Sequence, residues 1–112
     1  MKKQYSGHPE FYKILEELKE IHSNKNHDYA KKEDPLSNLK MCEAMGIPAW
    51  KGVVIRLADK WSRLASYSQK GEFRVNDEGL VDTFKDMATY AILGIILFKE
   101  ENDKNTRHKR LL

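Results

Sequence analysis

Between Trp50 and Ala65 the apolar side chains fall at Trp50, Val53, Val54, Leu57, Trp61, Leu64 and Ala65, the three- and four-residue spacing that lines one face of an α-helix. The same period runs through Phe11, Ile14, Leu15, Leu18 and Ile21, and again through Leu80, Phe84, Met87, Ala91, Ile95 and Phe98. Nowhere do apolar and polar residues alternate as a half-buried strand requires. The chain therefore reads as all-α, a compact bundle of three long helices plus a short one. The first helix opens near Pro9, with no clear end. The short one covers Leu36 to Met45 and is closed by Gly46. The second long helix runs from about Pro48 to Gln69, with Gly71 as its stop, and the third from Asp77 or Glu78 to about Phe98. Residues 30–37 and 71–77 read as connectors.

One such core is all that 112 residues can build. Residues 1–99 are expected to form a single helical domain, and 100–112 a charged, flexible C-terminal tail. Hydrophobic residues make up 40% and charged residues 33%, the balance of a folded helical protein with a mixed-sign surface. Much of the net charge of +3 sits on Lys104, Arg107, Lys109 and Arg110, so the body is nearly neutral and makes no strong case for nucleic acid. The single Cys42 excludes an intramolecular disulfide and fits a reducing, cytoplasmic setting. MKKQYSGHPE lacks a signal peptide's apolar stretch, and the run Ala91 to Phe98 is too short to span a bilayer. That run is apolar nearly all round, which favours a homo-oligomer.

Chemistry concentrates on the helix flanks. Glu17 and Glu20 lie three apart on the first helix, on an edge that continues through Asn24 to Asp28. On the third helix Glu78, Asp82 and Asp86 stack at four-residue steps above Tyr90, Leu93 and Leu97. Carboxylates near a buried surface need a cation or a basic side chain to neutralise them. Arg56, Lys60 and Arg63 on the second helix supply basic partners, with Asp59 beside them. Two readings stay open: plain salt bridges, or Mg²⁺ joining Glu17, Glu20, Asp82 and Asp86 to phosphate oxygens that the basic groups also grip. The segment His22, Lys25, His27, Asp28, Tyr29 is the densest in chemistry. Its histidines are five apart and so do not share the helical face a zinc pair needs, whereas Lys25 on the apolar side could reach a phosphate. Trp50, Trp61 and Tyr90 occupy apolar positions and read as core.

In order along the chain, KNHDYA (25–30), DPLSN (34–38), GI (46–47), RLADKWSRL (56–64) and DTFKDMATYA (82–91) resemble the phage-associated family called nucleotide modification associated domain 1. The likeness spans roughly residues 10–98. More distantly, the helical plan is similar to the all-α nucleoside triphosphate pyrophosphohydrolases of the MazG and dimeric dUTPase type, which hold Mg²⁺ through ExxE and ExxD motifs. Glu17-Leu18-Lys19-Glu20 matches the first motif. At the second, Asp82 and Asp86 are four apart, and Thr89 stands three beyond Asp86 where a carboxylate is expected. The departure bears on hydrolysis more than on binding.

The resemblance implies a Mg²⁺-dependent pyrophosphohydrolase-like protein acting on a phosphate-bearing nucleotide. Glu17, Glu20, Asp82 and Asp86 would hold metal and serve catalysis. Lys25, His27, Asp28, Tyr29, Asn38, Arg56, Lys60 and Arg63 would hold the substrate. A non-catalytic protein that binds or sequesters a nucleotide is the alternative, and a helical interaction module with structural salt bridges is the third reading.

Overall fold

The computed structural model describes residues 4–29, 34–70 and 78–111, leaving aside the side chains of Asp28, Tyr29, Lys70 and Glu78. The order is α1 (Pro9–Tyr29), a 3₁₀ segment (Ser37–Met45), α2 (Ala49–Lys70) and α3 (Glu78–Leu111), with no strand among the described residues. The fold is all-α. The expected connector 71–77 and positions 30–33 of the first loop lie outside the described residues.

Local chemistry sets the helix ends. Pro9 takes an early helical position where a missing N–H costs nothing, and the exposed amide of Glu10 donates to His8 Nδ1 at 3.1 Å. The 3₁₀ segment stops at Gly46, which has φ 78° in the left-handed region, and the amides of Gly46 and Ile47 donate back to the carbonyls of Glu43 and Cys42. Pro48 then starts α2, its carbonyl accepting from the Lys51 amide at 2.9 Å.

α2 and α3 form the central antiparallel pair. Trp50 packs edge-on against Phe98, the Gly94 backbone lies close to Val53, Arg56 meets Tyr90, and Lys60 meets Asp86, so numbers fall along α3 as they rise along α2. Leu36 and Leu39 from the 3₁₀ turn and its approach, Ala49 and Val53 from α2, and Leu93 and Leu97 from α3 form the core. The 3₁₀ segment sits tightly on α2 because Gly52 has no side chain there: a Cβ would lie 2.9 Å from Cys42 Sγ. Lys40 clamps the same segment to α3, bonding Asp34 at 2.8 Å and Glu100 at 3.1 Å. α1 is pinned to α3 by Lys85–Glu17 at 2.9 Å and buries Leu18. Among the described residues no helix is long and apolar enough to cross a membrane.

Two expectations change. The segment from Glu100 onward continues α3 without a break to Leu111, because it contains neither Gly nor Pro and its last turn places His108, Lys109 and Arg110 at the negative end of the helix dipole. Trp61, assigned to the core by its spacing, is 65% exposed, and Val54, Phe84, Ile95 and Phe98 are also exposed. Periodicity identifies a sticky face without identifying what covers it.

Candidate functional site

A cleft of 320 Å³ opens where the last turns of α1 approach the α2–α3 pair, within the range of small-molecule sites. Its walls come from all the described elements: Lys25 and Asn26 on α1, Asn38 and its apolar neighbours around the 3₁₀ turn, Arg56 on α2, and Asp86, Thr89 and Tyr90 on α3. The Asn26 amide donates to the Pro35 carbonyl, which fixes the loop against α1 and forms one side of the opening. The Asp34 carboxylate accepts from the Leu36 amide at 3.1 Å and from Lys40, holding the turn that presents Asn38.

Charge is arranged around Asp86. Lys60 Nζ donates to one of its oxygens at 2.9 Å, and Lys25 Nζ stands 3.6 Å from the other. Lys60 is largely enclosed while Lys25 is mostly exposed, so the first contact is structural and the second faces the cleft mouth. Arg56 donates to the Tyr90 hydroxyl at 3.4 Å and lies 5.7 Å from the ring centroid, in cation–π range. Two lysines thus flank a single carboxylate, and Arg56 lines the same cleft on Tyr90, with His22 a second flat side chain in the lining.

Of the expected substrate-binding residues, the structure brings Lys25, Asn38 and Arg56 into the cleft, and Lys60 reaches it through Asp86. Arg63 lies seven residues beyond Arg56, about 10 Å further along the helix, and is outside the lining. His27 is exposed and also outside it. Asp28 and Tyr29 fall outside the described side chains. Thr89 and Tyr90 line the cleft although their sequence positions marked one as a gap in a motif and the other as core. His22 and Asn26 join them, and only the density of polar residues at 22–29 pointed to either.

Of the four carboxylates expected to share Mg²⁺, only Asp86 lines the cleft. Glu17 is held by Lys85, whose hydrogen bond and charge keep its pKa below the ordinary carboxylate value. Asp86 is engaged by two lysines, while Glu20 and Asp82 are exposed and do not line the cleft. Among the described residues no group of three or more His, Cys, Asp or Glu side chains could hold a metal ion. A hard dication needs several free oxygen ligands, and carboxylates already bonded to ammonium groups do not fit that need. The donors present suit an anion instead, since lysine and arginine offer charge-assisted N–H bonds to phosphate oxygens. No family model, no curated protein and no solved structure matches the chain.

Proposed function

We propose that this chain is a cytoplasmic protein that binds a phosphate-bearing nucleotide in the cleft between α1 and the α2–α3 pair. The observation that carries the reading is that Lys25 and Arg56, from two helices, line one small opening that also presents aromatic and amide side chains, with Lys60 behind it on Asp86. Phosphates would take the ammonium and guanidinium groups. The base would lie against Tyr90 or His22, and Asn38 and Thr89 offer hydrogen bonds to sugar or base. The resemblance to the nucleotide modification associated domain supports the same ligand class.

Binding, rather than cleavage, is the reading the geometry favours. Mg²⁺-dependent hydrolysis would call for Glu17, Glu20, Asp82 and Asp86 to serve one cation, and only Asp86 lines the cleft. A thermal-shift screen of ribo- and deoxynucleotides with and without Mg²⁺, followed by chromatography of the small molecules, tests it. A metal-independent shift with the ligand recovered intact is expected; no shift with any nucleotide would overturn the assignment, and Mg²⁺-dependent product formation would replace binding with hydrolysis.

A further inference from the structure

Many of the basic side chains in the body are neutralised by ion pairs: Lys13 and Lys19 within α1, Lys40 on Asp34 and Glu100, Lys60 on Asp86, Lys85 on Glu17. The far end of α3 departs from this. Lys104, Arg107, Lys109 and Arg110 follow one another with no acidic residue after Asp103, and their four charges exceed the net +3 of the whole chain. Lys104 reaches Glu43 at 3.7 Å and stays 61% exposed. Arg107, Lys109 and Arg110 have no ion-pair partner among the described residues.

These cations are displayed on a helix. α3 continues to Leu111, and from Asn102 its described side chains are all exposed, so about 15 Å of helix stands clear of the core. Successive residues turn by about 100°, which sets Arg107 and Lys109 about 100° to either side of His108, with Lys104 one turn back on the His108 face. Arg110, three residues after Arg107, widens the flank that Arg107 begins. The helix dipole accounts for cations in the last turn, and Lys104 and Arg107 lie before it.

We propose that the end of α3 docks on duplex DNA, entering the major groove and gripping phosphates on both of its walls. A groove about 12 Å wide admits one helix, about 10 to 12 Å across with its side chains, where that helix stands clear of its neighbours. The end of α3 meets that condition, and it carries cations on both flanks, where the two strands hold their phosphates. The major groove of duplex RNA is too narrow to be read in this way. An anionic membrane surface calls for an apolar face beside the charge, and Leu111 is the one apolar residue between Glu100 and Leu111. Contacts to phosphate make the binding indifferent to base sequence. Arg107 lies about 32 Å beyond Asp86 along α3, so this surface is separate from the cleft and owes nothing to a ligand there.

Fluorescence anisotropy of the full chain with two labelled DNA duplexes of unrelated sequence, each of about 20 base pairs, tests this. Both should bind alike, and four neutralised phosphates should make affinity fall by about 150-fold between about 50 and 200 mM salt. Arg107→Gln combined with Arg110→Gln changes two exposed positions to a good helix former and removes two contacts. Affinity at about 50 mM salt should drop at least about 10-fold and the salt effect shrink to about 12-fold, with the circular dichroism of the helices retained. Lys13→Gln combined with Lys19→Gln makes the same change in net charge on α1 and should leave affinity within about twofold. No binding at about 50 mM salt with protein up to about 100 µM would overturn the proposal. So would tighter binding to the separated strands than to the duplex, full affinity in the arginine variant, or an equal loss in the two charge variants.

Discussion

Replacing Asp86 by Asn separates holding a nucleotide from cutting it, because the two readings assign the carboxylate opposite effects. In the binding reading Asp86 competes with phosphate for Lys25 and Lys60, which it now holds at 3.6 and 2.9 Å. For a phosphate charge about 7 Å from the carboxylate, Coulomb's law gives about 0.6 kcal/mol of repulsion in water and about 2.4 kcal/mol at an effective dielectric of 20. Asp86 is 31% exposed, between those limits. Removing its charge should therefore tighten nucleotide binding by about 1 kcal/mol, or about fivefold. The same change leaves the enclosed Lys60 without its ionised partner and should cost about 1 to 2 kcal/mol of stability, lowering Tm by about 4 to 8 °C. Titration calorimetry on folded protein measures the first quantity and a melt without ligand the second. Weaker binding by Asp86→Asn, with the fold intact, would refute the reasoning and show that the carboxylate serves the ligand, directly or through a metal.

Arg56→Ala should lose about 10- to 100-fold in nucleotide affinity, the worth of a charge-assisted hydrogen bond, with little change in urea stability because the side chain is exposed; Arg56→Lys should recover part of it. Gly52→Ala should destabilise, or gain nothing, because its Cβ would meet Cys42 Sγ at 2.9 Å. In a Cys42→Ala background the same substitution should stabilise by up to about 1 kcal/mol, the helix preference of Ala over Gly, and a double-mutant cycle in urea measures the difference. Lys40 gives the pH dependence. Its hydrogen bond to Asp34, then that to Glu100, raises the Lys40 pKa, and Lys40 with the Leu36 amide lowers that of Asp34. The lysine's contribution is complete below about 10.5 and lost as pH climbs through its raised folded value, whereas the aspartate's is present above about 3.9 and lost as pH falls through its lowered one. Urea melts of wild type and Lys40→Met should therefore differ most across the neutral range and converge at both extremes.

The fold was legible because helical period, Pro9, Pro48 and the left-handed Gly46 are local signals that tertiary packing did not override. The unbroken run of helix formers after Phe98 carried equally local information, but its charge read as a solvated tail. Trp61 and Phe84 show a different limit: their spacing is that of a packed face, yet both are exposed, and spacing alone does not say whether a face is packed. In the cleft, Lys25, Asn38 and Arg56 could be selected by residue type and helical position. Lys85, which engages Glu17 across two helices, could not, since that pairing depends on how α1 docks. Tyr90 escaped for a related reason, because a position flanked by apolar residues can still turn its hydroxyl to a polar opening.

At 34 residues α3 is about 51 Å long, close to the 56 Å that is the molecule's greatest dimension. From Asn102 onward its described side chains are all exposed, so the last three turns are held by their own backbone bonds, by continuity with the packed part and by the exposed Lys104–Glu43 pair at 3.7 Å. Such an end unwinds turn by turn, without the cooperativity of a core. Warming should therefore lower the ellipticity gradually and change the hydrodynamic radius before Leu93, Leu97 and Val53 separate, and amide exchange should rise in a gradient toward Leu111. The molecule's length and the integrity of its cleft are thus set by different parts of one helix, and the first can change while the second stays fixed.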